Sequence, residues 1–164
     1  MSLTAERLRE LLRYDPGTGI FSWLIWRSRS ARAGDIAGHV YSNGYVYIKI
    51  EGRNYLAHRL AWLYMTGEWP KDEIDHENTI RSENWWDNLR EATGFQNKAN
   101  TKKSAANTSG LKGVSFHRRS NKWMAQIKSQ GRHHYLGLFD APEAAHAAYA
   151  NAARRLHGAF ARPT

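Results

Sequence analysis

The stretch that most narrows what this chain can fold into runs from Ile74 to Asn97, IDHENTIRSENWWDNLREATGFQN. Lys71 to His76 reads as a short strand ending in the pair Asp75-His76, Asn78 to Trp86 as a polar loop, and Asn88 to Glu91 as a second strand. Thr93 then opens a helix, because Thr93-Gly94-Phe95-Gln96 fits the S/T-x-x-Q capping box, in which each side chain satisfies a backbone N–H at the other's end. Asn97 falls about one turn into that helix. Strand, loop, strand, helix is the order needed to bring Asp75 and Asn97 together. Asp and Asn oxygens suit a hard cation such as magnesium, and a neutral His beside one takes a proton from water near neutral pH. These are the parts for metal-assisted hydrolysis of a phosphate ester. Trp85, Trp86, Leu89 and Phe95 are expected to pack around them.

Charge divides the chain. Residues 1–94 carry 12 Lys or Arg against 13 Asp or Glu, whereas residues 95–164 carry 12 against 2, so the formal charge of +9 sits wholly in the C-terminal part. A segment so basic faces a polyanion, and nucleic acid fits better than a membrane surface because no large apolar helix face accompanies the charge. With no Cys, disulfides and thiolate zinc sites are excluded, and no structural zinc is expected. No apolar run approaches the roughly 20 residues of a membrane span, and the N-terminus lacks a signal-peptide core. A soluble, intracellular protein is expected.

The N-terminal part begins with a short amphipathic helix capped by Thr4, followed by the turn Tyr14-Asp15-Pro16-Gly17-Thr18-Gly19 and a strand over Ile20–Trp26. Arg27 to Gly34 is a small basic loop, able to touch a phosphate backbone or simply to be solvated. Gly44–Ile50 and Asn54–Ala57 flank Glu51-Gly52-Arg53 as a hairpin, and His58 to Met65 is a buried helix closed by Gly67 and Pro70. For His58 two readings stand, a member of the reactive centre or a hydrogen-bonded core histidine.

Residues 104–110, small, polar and basic, form the linker between a domain over 1–103, with its core at about 71–103, and another over 111–164. In the latter, three strands alternate apolar and polar residues: Gly113–His117, Trp123–Lys128 and His133–Phe139, the last two joined by Ser129-Gln130-Gly131-Arg132. Asp140 as N-cap, Pro142 and Glu143 open a helix that stops at Gly158, with Ala145, Ala148, Tyr149, Ala152 and Leu156 on one face. The Ala-rich stripe reads as packing against the sheet. By alternation Ser115, His117, Gln126, Lys128, His133 and Tyr135 point away from the helix. The fold class is therefore α+β.

Two resemblances rest on these residues. Ile74-Asp75-His76-x-Asn78, Asn84, Asp87-Asn88-Leu89-Arg90 and Gln96-Asn97, with the earlier Ala57-His58-Arg59-Leu60-Ala61-Trp62 and Tyr14-Asp15-Pro16-x-Thr18-Gly19, resemble the HNH endonucleases of phage homing type over about residues 5–103. The resemblance implies a ββα-metal nuclease that cuts DNA phosphodiesters and leaves 3′-hydroxyl and 5′-phosphate ends. It implies Asp75 and Asn97 as metal ligands, His76 as general base and Asn88 as the residue that orients the loop. That family commonly has Gly-Asp where this chain has Thr79-Ile80, which alters the turn of the His loop. The second resemblance is carried by Lys112-Gly113-Val114, Lys122-Trp123-x-Ala125-x-Ile127, Tyr135-Leu136-Gly137-x-Phe139-Asp140 and the Ala-rich helix. Over about residues 110–162 it is similar to the plant ethylene-response-factor (Apetala-type) DNA-binding domain, which lays its sheet in the major groove. Several Arg positions of the plant domain are Ser or His here, so the plant target sequence does not transfer.

Together these imply a magnesium- or manganese-dependent hydrolase that nicks or cuts double-stranded DNA, one part cutting and one part placing. Arg90 and Lys98 are candidate phosphate contacts. A monomer is expected, since no heptad or other dimerisation stripe is present. The rival from another class is a non-catalytic, sequence-specific DNA-binding regulator with the N-terminal part as scaffold. Homing, a partnership with phage packaging, and defence share one chemistry and are not separated by the residues.

Overall fold

Thr4 caps the first helix as its sequence position demands: its Oγ1 accepts the backbone N–H of Arg7 at 3.2 Å, and helix α1 (Ala5–Leu11) buries Ala5, Leu8 and Leu11. The computed structural model describes residues 3–29, 31–104 and 107–163. Ser30 of the basic loop and Ala105-Ala106 of the expected linker lie outside the described residues. The chain groups into two units, one up to Ala92 and one from Thr93 onward, so the helix opened by Thr93 groups with the second unit although the sequence division stood near 103.

In the first unit α1 runs straight into strand β1 (Leu12–Asp15), which pairs antiparallel with β2 (Ile20–Trp23). The strand expected to reach Trp26 stops at Trp23, because β1 supplies no partner beyond Leu12. Leu24, Ile25 and Trp26 are exposed, and Arg27 folds back over the Trp23 ring at 4.3 Å. Strands β3 (His39–Val40), β4 (Val46–Ile50) and β5 (Arg53–Leu56) form an antiparallel sheet in that order. Glu51 and Gly52, both at positive φ, make the two-residue turn between β4 and β5 that matches strand twist. Helix α2 (Ala57–Thr66) ends on left-handed Gly67 and packs Leu60 and Leu63 into a core with Leu8, Phe21 and Ile48. Each such side chain, removed from water, contributes roughly 1.5–3 kcal/mol. A second antiparallel pair follows, β6 (Glu73–His76) with β7 (Leu89–Ala92), with Asp75 opposite Arg90 and His76 opposite Leu89.

The second unit opens with helix α3 (Gly94–Ala99), where the capping box forms in full: Thr93 Oγ1 accepts from Gln96 N at 3.3 Å and Gln96 Oε1 from Thr93 N at 2.8 Å. Strands β8 (Val114–His117), β9 (Lys122–Ser129) and β10 (Arg132–Phe139) make an antiparallel sheet with β9 in the middle. Helix α4 (Pro142–His157) lays Ala145, Tyr149, Ala152 and Ala153 against Val114, Ala125 and Ile127. Gly113 permits the close approach: a Cβ there would stand 2.0 Å from the Tyr149 ring. The Lys112 ammonium donates to the carbonyls of Ala99, Thr101 and Arg162. The N-cap of α4 is Ala141, not the expected Asp140, whose carboxylate is instead drawn to Lys122 at 3.1 Å. No helix among the described residues is long and apolar enough to cross a membrane.

Candidate active site and nucleic-acid interface

In the first unit the polar residues of the Ile74–Asn88 stretch converge. Asp75 and His76, the last two residues of β6, are each 4% exposed, although they are the most polar part of that strand. Burial of a carboxylate requires a partner, and Arg90, directly opposite on β7, supplies it: Nε and Nη2 both donate to Asp75 Oδ2 at 2.9 Å. The arginine expected to meet phosphate is thus engaged by Asp75, with Glu77 4.0 Å from its other terminal nitrogen.

His76 is oriented by Asn84. The Asn84 amide is fixed because its Nδ2 donates to Ser82 O at 3.0 Å, which turns Oδ1 toward His76 Nε2 at 3.1 Å. An amide oxygen only accepts, so in the neutral imidazole Nε2 carries the proton and the basic lone pair is on Nδ1. Burial lowers the His76 pKa from its ordinary value, and Arg81 adds to the lowering. The Asn84 hydrogen bond and the charges of Asp75 and Glu83 pull the other way. A neutral, oriented ring at neutral pH is what proton abstraction needs.

Asn88 holds the loop between the two strands. Its Oδ1 accepts from Asn78 N at 3.0 Å, its Nδ2 donates to Glu83 O at 2.6 Å, and its carbonyl accepts from Glu77 N at 2.9 Å. Within the loop Asn78 bonds Glu83 and Ile80 N, and Thr79 N donates to His76 O. Thr79 has φ +65°, and its hydroxyl is buried without a hydrogen-bond partner. The left-handed conformation that favours Gly is therefore kept here with a β-branched residue, at a cost in strain.

Two supports of this centre come from residues distant in sequence. Tyr14 OH donates to Asn84 O at 2.6 Å, Trp86 N donates to Pro16 O at 2.8 Å, and a Cβ on Gly19 would lie 2.3 Å from the backbone of Asn84 and Trp85. The turn between β1 and β2 is thus seated against the loop that orients His76. On the other side Arg81 donates to Asn43 O and lies over the Tyr45 ring at 4.9 Å. Tyr45, His58 and His76 form a ring cluster, His58 edge-on to His76 at 4.9 Å. His58 is 5% exposed with Nδ1 unpartnered, and burial pushes its pKa down to about 3, the neighbouring His76 and Arg59 adding to the shift. It stands against the catalytic candidate rather than hydrogen-bonded in the core.

Asn97 lies within α3 of the second unit, its N–H bonded to Thr93 O at 3.0 Å, and Lys98 beside it is exposed. Phe95, expected to pack, is 56% exposed. Trp85 and Trp86 are half-buried, the latter against Trp62 at 5.2 Å. Among the described residues no group of three or more His, Cys, Asp or Glu is arranged to hold a metal ion.

The second unit gathers the other candidates on one sheet face. Register pairs Lys128 with His133 and Gln126 with Tyr135, and all four are exposed. Ser115 and His117 are half-buried on the same face, opposite Met124 and Lys122.

Two families and one relative match the chain. Residues 55–99 match the HNH endonuclease family and residues 109–159 the AP2 domain. The chain is 35% identical to Protein 3.8 of Escherichia phage T7 over 106 residues, which make up 64% of this chain and 87% of that protein.

Proposed function

The chain belongs to the family of Protein 3.8 of Escherichia phage T7 and joins an HNH endonuclease domain to an AP2 domain, and from that premise we propose that it is a magnesium-dependent endonuclease acting on duplex DNA. The observation that carries the reading is His76, buried, neutral by environment and held by Asn84 so that Nδ1 is its basic nitrogen. His76 takes the proton of the attacking water. Asn88 keeps the loop in the shape that presents it.

The donor chemistry fits a hard divalent cation, magnesium or manganese: a buried carboxylate, Asp75, and no sulfur. When bound, such an ion offsets charge on the phosphoryl and leaving oxygens. Few protein ligands suit magnesium, which keeps waters and draws on substrate phosphate. Asp75 is the residue to hold it; Asn97, as second ligand of a ββα-metal site, enters on the family resemblance alone. Lys98 is exposed and suited to a phosphate. Arg90, paired with Asp75 in this structure, would be available for that role if a cation took the carboxylate.

The basic AP2 part supplies most of the affinity through phosphates, so binding falls steeply with salt. In the regulator reading the Arg90–Asp75 ion pair is permanent, since a carboxylate neutralised in this way is a poorer cation ligand. A supercoiled-plasmid assay separates the two. Nicked or linear product with magnesium, lost with EDTA and in His76→Ala, is expected; mobility shift with no cleavage would sink the nuclease and leave the regulator.

A further inference from the structure

We propose that the outer face of the β8–β10 sheet is built to read A·T base pairs in the major groove. The inference rests on the reading of the AP2 part as a DNA-binding module, and it concerns what that module selects.

The central strand sets the pattern. Alternation turns Lys122, Met124, Gln126 and Lys128 of β9 to the outer face, while Ala125 and Ile127 are buried beneath α4. At about 3.3 Å per residue the two lysines are roughly 20 Å apart along the strand. The major groove is about 12 Å wide. Two cations at that separation reach phosphates on opposite walls, and the residues between them lie over base edges. Lys122 is tied to Asp140, but both partners are well exposed, so phosphate exchanges readily for that carboxylate.

What lies between the lysines is an amide and apolar groups. Gln126 is exposed, opposite Tyr135, which is 64% exposed. A register shift between Tyr135 and Gly137 then changes the alternation of β10, so that Leu136 packs into the core and Leu138 comes opposite Met124 on the outer face. The centre of the face is therefore Gln126 flanked by Met124, Tyr135 and Leu138, with half-buried Ser115 beside Met124 on β8.

Base-edge chemistry decides what this set recognises. A glutamine amide matches the N6 donor and N7 acceptor of adenine, and apolar side chains match the thymine methyl. Guanine is read by arginine or lysine. The one arginine in the three strands, Arg132, pairs by register with buried Ser129 and so belongs to the other face. The two lysines stand at the ends of the face, over the phosphates rather than the central base edges. Met124 and Gln126 are about 7 Å apart along the strand, so on a strand slanting across the groove they fall over neighbouring base pairs. A run of at least two A·T pairs is the target this spacing suits.

The test is selection from a randomised duplex library by the full chain in EDTA, followed by competition binding. Consecutive A·T pairs are expected at the centre of the selected sites. Replacing thymine there by deoxyuridine, which removes only the methyl, weakens binding several-fold. Gln126→Ala lowers the preference for adenine at one position about tenfold, while salt-dependent binding to unrelated DNA persists and shows that the sheet is folded. Selected sites with G·C at the centre would overturn the inference and leave the nuclease reading intact. Indifference to both deoxyuridine and Gln126→Ala would do the same. Failure to bind any duplex would remove this inference together with the DNA-binding role of the second unit.

Discussion

The His76 centre and the outer face of the β8–β10 sheet put polar side chains to opposite uses. Around His76 each polar group is buried and positioned by another: Asp75 by Arg90, His76 by Asn84, and the loop by Asn88. On the sheet Gln126, Lys128, His133 and Tyr135 extend into solvent from a regular scaffold whose own polar groups are spent in the β ladder. A reacting group must be held to a fraction of an ångström, whereas a contact surface gains from groups that water, and then DNA, can reach. Substitutions should accordingly be severe and structural in the first region and mild and additive in the second.

The largest separation is expected from His76→Ala. Loss of a positioned base lowers the rate about 10²–10⁴-fold, while DNA affinity measured in EDTA stays unchanged. Equal losses in rate and affinity would show that His76 serves binding, and the contrast between the regions would fail. Next comes Gly19→Ala. A Cβ placed 2.3 Å from the Asn84–Trp85 backbone, at a φ of +74°, is expected to destabilise the fold by about 2–4 kcal/mol in urea titrations. The cleavage rate of the fraction still folded should fall as well, because Asn84 moves away from His76.

How much of this could be read beforehand follows from the range of each interaction. The capping box at Thr93 and the turns at Glu51-Gly52 and Gln130-Gly131 were legible because they involve neighbours of a few residues. The outward set of the sheet was legible because alternation is a local period. Asp75 and His76 were named as a pair, but Asn84, eight residues on, carried nothing to say that its amide would orient the ring. Gly19 belonged to a recognisable turn, yet only the fold reveals that the backbone it makes room for is that of Asn84. Asp140 misled for the same reason: a good N-cap by type, it was taken by Lys122 on a strand. Trp26 alternates as a strand should, and fails for want of a neighbour.

His58 gives a pH test confined to the buried region. Its folded pKa is depressed to about 3 from the ordinary 6.5, so the folded state keeps it neutral while the unfolded chain binds a proton below 6.5. The stability it contributes is fully present above pH 6.5 and is lost progressively as pH falls toward 3. Thermal melts between those values should show His58→Gln less acid-sensitive than the native chain, by up to one proton or about 1.4 kcal/mol per pH unit. Parallel curves for the two proteins would mean that the imidazole opens to solvent before the fold yields.

Thr79→Gly should do the reverse of most substitutions in the loop after His76. The residue sits at φ +65° with a buried, unpartnered hydroxyl; glycine relieves both and adds entropy to the unfolded chain. The balance is a gain of about 1 kcal/mol, read in urea titration. A loss would show that the Thr79 side chain is packing the loop.

Lys128→Ala carries the smallest effect and tests the other side of the contrast. An exposed cation opposite His133 holds nothing in place, so stability should not move. If it meets one phosphate, its removal lowers affinity a few-fold for every sequence alike and makes the salt dependence shallower by about 0.9 in log–log slope. The rate at saturating DNA should stay at the native value. A fall in that rate would mean that the sheet also aligns the strand in the His76 centre, so that placing and cutting are not separable functions of two surfaces.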